Sequence, residues 1–177
     1  MKNRVLLAFA SVLSLGCLLS AAPIHKAVEA GDVSKVRALI AADPASANAK
    51  DDNGLTALWL AAQKGQLEVV KLLLDKGAAV DVKAPDGVTP LWIAAQQGHV
   101  EVVKALLEKK ASIEAARSDG VTPLYMAADN GQLEVVKVLL AKGANPNVVI
   151  DGSTPLQAAE KDGNKDMAEV LRAAGKK

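Results

Sequence analysis

The chain has a single cysteine, Cys17, so no disulfide can form within it and no cysteine-based metal site can be built. Aromatic residues are almost as scarce, at one Phe, two Trp and one Tyr, and there are only two histidines. Neither sign of charge is in excess, with 21 Lys and Arg against 20 Asp and Glu, so the basic surplus that neutralises a nucleic-acid backbone is missing. No nucleic-acid partner is expected. The spacings that signal a zinc site, a phosphate-binding loop or a nucleophile elbow are also missing, and no carboxylate pair recurs beside a histidine or serine. Those absences argue against an enzyme and against any cofactor or metal, and leave packing as the source of stability.

One long apolar run is present, at the N-terminus. Met1-Lys2-Asn3-Arg4 carries two positive charges, Val5 to Leu19 is apolar and small, and Ser20-Ala21-Ala22 has the small-x-small form read by a signal peptidase. This layout predicts a signal peptide over 1–22 and export to a periplasmic or secreted location. Ser14-Leu15-Gly16-Cys17 resembles a lipobox, so lipidation at Cys17 and attachment to a membrane is a second outcome. An uncleaved anchor is a third, since a run of about 18 residues lies at the lower limit for crossing a bilayer.

What the rest of the chain has in abundance is one phrase. It occurs as Asn53-Gly54-Leu55-Thr56-Ala57-Leu58, Asp86-Gly87-Val88-Thr89-Pro90-Leu91, Asp119-Gly120-Val121-Thr122-Pro123-Leu124 and Asp151-Gly152-Ser153-Thr154-Pro155-Leu156, with threonines 33, 33 and 32 residues apart. A period of this length means one small supersecondary unit stacked in a line, each copy burying its apolar face against its neighbours. Within a unit, the glycine permits a tight turn, the threonine caps a helix, and proline takes the first helical position in three of the four copies. A second helix follows, typified by Gln66-Leu67-Glu68-Val69-Val70-Lys71-Leu72-Leu73-Leu74, with Gly77 suited to a left-handed C-terminal cap.

The sequence of turn, T-P-L-x-x-A-A, G-x-x-E-V-V-K-x-L-L and G-A resembles the ankyrin repeat from about Pro23 to the end. The resemblance implies an all-α solenoid of about five helix-turn-helix units with short hairpin or loop tips, at about 23–50, 51–83, 84–116, 117–148 and 149–177. It further implies a protein partner docking on the concave side, formed by the tips and first helices. Lys35 at one end, and Lys165, Ala168 and Arg172 at the other, replace apolar residues of inner units and suit the polar outer faces of terminal caps. Two departures stand out. Lys110 holds the position of Gly77 and Gly143, where positive φ is required, and a one-residue deletion leaves Val148-Val149-Ile150 as an apolar run expected to be buried against the final unit, with a binding tip as the alternative.

Trp59, Trp92 and Tyr125 share one register position in consecutive units and should form a column along the first helices. The column either fills the grooves between units or anchors a partner. Leu55, Val88 and Val121 lie four residues earlier, at positions the resemblance implies are exposed on the concave side. Gln63, Gln96, Gln97, Asp129 and Asn130 would rim this apolar ladder. His25, in the aromatic column's register, and His99, after a glycine, are read as structural. A non-enzymatic, monomeric adaptor or inhibitor is therefore expected, or alternatively a membrane-tethered envelope-assembly component.

Overall fold

The computed structural model describes residues 23–176, so the expected signal peptide and Cys17 lie outside the described residues. Among the described residues ten α-helices follow one another in five antiparallel pairs: α1 (Pro23–Glu29) with α2 (Val33–Ala42), α3 (Ala57–Gln63) with α4 (Leu67–Asp75), α5 (Pro90–Gln97) with α6 (Val100–Glu108), α7 (Pro123–Asp129) with α8 (Leu133–Ala141), and α9 (Pro155–Lys161) with α10 (Lys165–Ala174). First helices pack on first helices and second on second, so every unit touches only its neighbours. Four tips, at 50–55, 83–88, 116–121 and 149–153, lead into α3, α5, α7 and α9. A 3-10 turn over Pro44–Asn48 precedes the first tip and carries no repeat signature of its own.

Each first helix starts where the sequence says it should. Thr56, Thr89, Thr122 and Thr154 accept the backbone N–H of Trp59, Trp92, Tyr125 and Gln157, satisfying one orphan donor per helix. The helices are short, at seven or eight residues, and too short to persist alone in water. Burial holds them. Leu58, Leu91 and Leu124, with the alanines of the same helices, form a continuous core with Val70, Leu73, Val103, Leu106, Val136 and Leu139 of the second helices.

Two expectations need amendment. Ala168 is buried at 6 % exposure, so the outer face of the last unit is polar through Lys165 and Arg172 without it. Of the apolar run in the fourth tip, Val148 and Ile150 are half-buried while Val149 stands 62 % exposed, because the shortened tip closes through an Ile150–Ser153 pair. The same deletion puts Asp151 at φ 49°, a second non-glycine residue in the left-handed region beside Lys110 at φ 63°.

Candidate partner-binding face

The column runs His25, Trp59, Trp92, Tyr125 along the inner helices α1, α3, α5 and α7. His25 is fully buried and its Nε2 donates to Leu55 O of the next tip at 3.0 Å. Trp92, at 2 % exposure, does the same with its indole, Nε1 donating to Val121 O at 2.8 Å. An indole thus replaces an imidazole as the staple between a helix and the following tip. Trp59 is 9 % exposed, but its Nε1 is buried and makes no hydrogen bond. Tyr125 is half-buried.

Beneath and beside the column the ladder is less open than the resemblance implied. Val88 and Val121 are buried at 3 % and 6 %, and Leu55 alone of the three is half-buried. Their placement follows from the tip turns, in which Ala84 N–H bonds Val88 O and Arg117 N–H bonds Val121 O, folding the valines in under the rings. What does face solvent is polar. Gln97, Asp129 and Asn130 are exposed at the ends of α5 and α7, and Gln63 and Gln96 are half-buried, with exposed Lys64 completing the row. Asn130 Nδ2 turns back on Met126, reaching its carbonyl at 2.9 Å, and Gln96 Nε2 approaches the Met126 sulfur at 3.6 Å.

Several contributors to this face were not singled out from the sequence. Arg117, in the third tip, lies 5.1 Å from the Trp92 ring centroid and is paired with Asp119, a cation held over an aromatic face. That pairing holds the Asp119 carboxyl down to about 2, chiefly through the Arg117 hydrogen bond, which outweighs the opposing effect of desolvation. It also raises Arg117 above the usual guanidinium range. At the opposite ends of the inner helices, Gln66, His99 and Gln132 reach back to Val28 O, Gln63 O and Gln96 O at 2.9, 2.9 and 3.2 Å. Their common position just after a glycine was the signal that could have found all three. For His99 the structural reading is what the geometry shows.

Among the described residues no cluster of three or more His, Cys, Asp or Glu is placed to hold a metal ion, and no helix is long and apolar enough to cross a membrane. A groove of about 630 Å³ lies between α8 and α10 along Leu140, Ala144, Pro146 and Val170, away from the candidate face.

A line of antiparallel helix pairs with tips projecting from one edge defines a helical repeat solenoid, a class that works through its extended faces. The chain belongs to the ankyrin repeat family: the family model described as ankyrin repeats (3 copies) matches residues 11–84, 77–150 and 114–177. Among curated proteins it is similar to a probable E3 ubiquitin-protein ligase, XBOS33, of Oryza sativa subsp. japonica, at 43 % identity over 68 residues. That match covers 38 % of this chain and 13 % of the rice protein, so the chain spans a small part of that relative.

Proposed function

We propose that the protein is an exported, non-enzymatic adaptor or inhibitor, acting as a monomer that binds a partner protein on its concave face. The family and its repeats support a protein-binding role in general. The choice of the concave face rests on one observation, the polar row of Gln63, Gln96, Gln97, Asp129 and Asn130 carried on helices whose opposite faces are buried. Such side chains are presented on a rigid frame, so association loses little ordering entropy. Leu55 and Tyr125, half-buried at the edge of the row, supply the accessible apolar area, and Trp59, Trp92, Val88 and Val121 support them from within. Anchors of this kind, surrounded by polar groups that exclude water, carry most of the affinity in protein interfaces.

The test is a purified-partner binding measurement with Gln97→Arg/Asn130→Arg and Tyr125→Ala variants. We expect affinity to fall at least tenfold while the helical circular-dichroism spectrum is kept; unchanged affinity would reject the concave face. Export is read separately, by mass spectrometry of the native N-terminus. A start near Pro23 supports soluble export, a lipidated start at Cys17 supports the envelope-tethered alternative, and a Met1 start in the cytosol removes both.

A further inference from the structure

Neighbouring tips are joined unequally. Between the second and third tips, Ser118 donates to Asp86 O from its backbone N at 3.0 Å and from its Oγ at 2.6 Å. Above that contact Arg117 lies against Trp92, and Trp92 Nε1 is bonded to Val121 O. One unit earlier every one of these links is changed. Pro85 holds the register position of Ser118 and has neither an N–H nor a hydroxyl to give to Asn53 O. Ala84 stands in place of Arg117. Trp59 holds the position of Trp92, yet its buried Nε1 makes no bond to Val88 O, the counterpart of Val121 O.

What remains between the first and second tips is thin. The Pro85 ring lies over Gly54, and exposed Lys50 Nζ reaches Lys83 O at 3.4 Å. Beneath the tips, Ser112 N–H of the later unit reaches both carboxylate oxygens of Asp81 of the earlier one, at 3.0 and 3.1 Å, as Asn145 N–H reaches Glu114 Oε1 at 2.7 Å one junction on. The same two units are held well away from the tips, by His99 Nε2 on Gln63 O at the far end of the inner helices and by the 2.8 Å Lys109–Asp75 pair on the outer face. The junction is thus fastened away from the tips and lacks, at the tips themselves, the bonds that close the next one.

We infer that the junction between units 51–83 and 84–116 is a hinge. Its tip edge opens about the side fastened by His99 and by Lys109–Asp75, while the next junction stays shut. Opening uncovers Leu55 and Trp59 together, an apolar slot that carries one indole N–H donor needing an acceptor. The slot suits a partner's apolar side chain followed by a backbone carbonyl. The hinge itself does not depend on the concave face being the docking side, because it is a property of the free protein.

Acrylamide quenching of single-tryptophan variants tests it. In a Trp92→Phe background only Trp59 emits, and adding Pro85→Ser restores an N–H and a hydroxyl at the second tip. Quenching of Trp59 should then fall about fivefold, the change in open population that one net hydrogen bond corresponds to. Reciprocally, Ser118→Pro in a Trp59→Phe background should raise Trp92 quenching by a similar factor. Unchanged Trp59 quenching in folded Pro85→Ser protein overturns the hinge. Should either substitution reduce helicity, amide exchange in the unaltered chain decides: Ser112 N–H, bonded to Asp81 across this junction, should exchange faster than its counterpart Asn145 N–H, bonded to Glu114 across the next, and equal rates overturn the hinge.

Discussion

Trp59 and Trp92 are the same residue at the same register position, but only Trp92 has its indole N–H bonded and Arg117 over its ring. Replacing either by Phe keeps an aromatic face and removes the indole N–H, so the difference between the two variants reports chiefly that bond. Trp92→Phe loses a bonded donor, whereas Trp59→Phe loses one that is buried and unsatisfied. Thermal melts should show Trp92→Phe the more destabilised by about 1 kcal/mol. Lys110 poses a simpler question. It is held at φ 63° and exposed, so Lys110→Gly should raise stability by several tenths of a kcal/mol up to about 1, the relief of left-handed strain less the entropy glycine loses on folding. A fall in melting temperature would count against that account. For Asp119 the folded carboxyl titrates at about 2, below its unfolded value, so its pairing is complete above the ordinary carboxylate range and is lost as pH falls through about 2. A carbon-detected NMR titration should place the Asp119 midpoint there, and Arg117→Gln should move it up toward ordinary carboxylates.

At the scale of elements, the turns that end helices differ in how much room they leave, within a pair as at Gly98 or after one as at Gly77. Gly98 and Gly77 both have positive φ, 78° and 86°. A methyl at Gly77 meets open space, but at Gly98 it would strike the Gln132 carboxamide that reaches back to Gln96 O. Gly98→Ala should therefore cost more than Gly77→Ala by about the net worth of the Gln132–Gln96 hydrogen bond that the methyl displaces, about 1 kcal/mol, while Gly77→Ala carries only the backbone strain of about 1 kcal/mol. Urea midpoints of the two variants give the ranking directly. Caps and turn glycines were legible in the sequence because their chemistry is local: a threonine three residues ahead of an N–H, a glycine where φ must be positive. The 3-10 turn at Pro44–Asn48 was not, since what holds it is the burial of Ala47 in the core.

Across the whole molecule stability is passed from neighbour to neighbour, and the position of a defect decides how far it spreads. Leu106 and Leu171 are both fully buried in second helices, one in the middle unit and one in the last. Each truncation to Ala should remove about 2–5 kcal/mol. Leu106→Ala should lower a single cooperative unfolding transition, while Leu171→Ala should fray the last unit first and broaden the onset. Coincident, equally sharp transitions for both variants would argue against nearest-neighbour coupling.

The fold was readable from the 33-residue period alone, because a unit that cannot bury its apolar face by itself has no option but to stack. Core positions, caps and turn glycines came with it. The exposure of particular residues did not, and the column shows why. One register position holds His25, Trp59, Trp92 and Tyr125, and periodicity treats them alike. Only tertiary contacts separate a stapled ring over Val121 from an unstapled one facing Val88. Register says which side chains are neighbours, but burial and hydrogen bonding depend on ångström-scale distances between residues 29 or 30 apart in the chain, such as His25 to Leu55 and Trp92 to Val121. Those distances are set by how each tip folds onto the next.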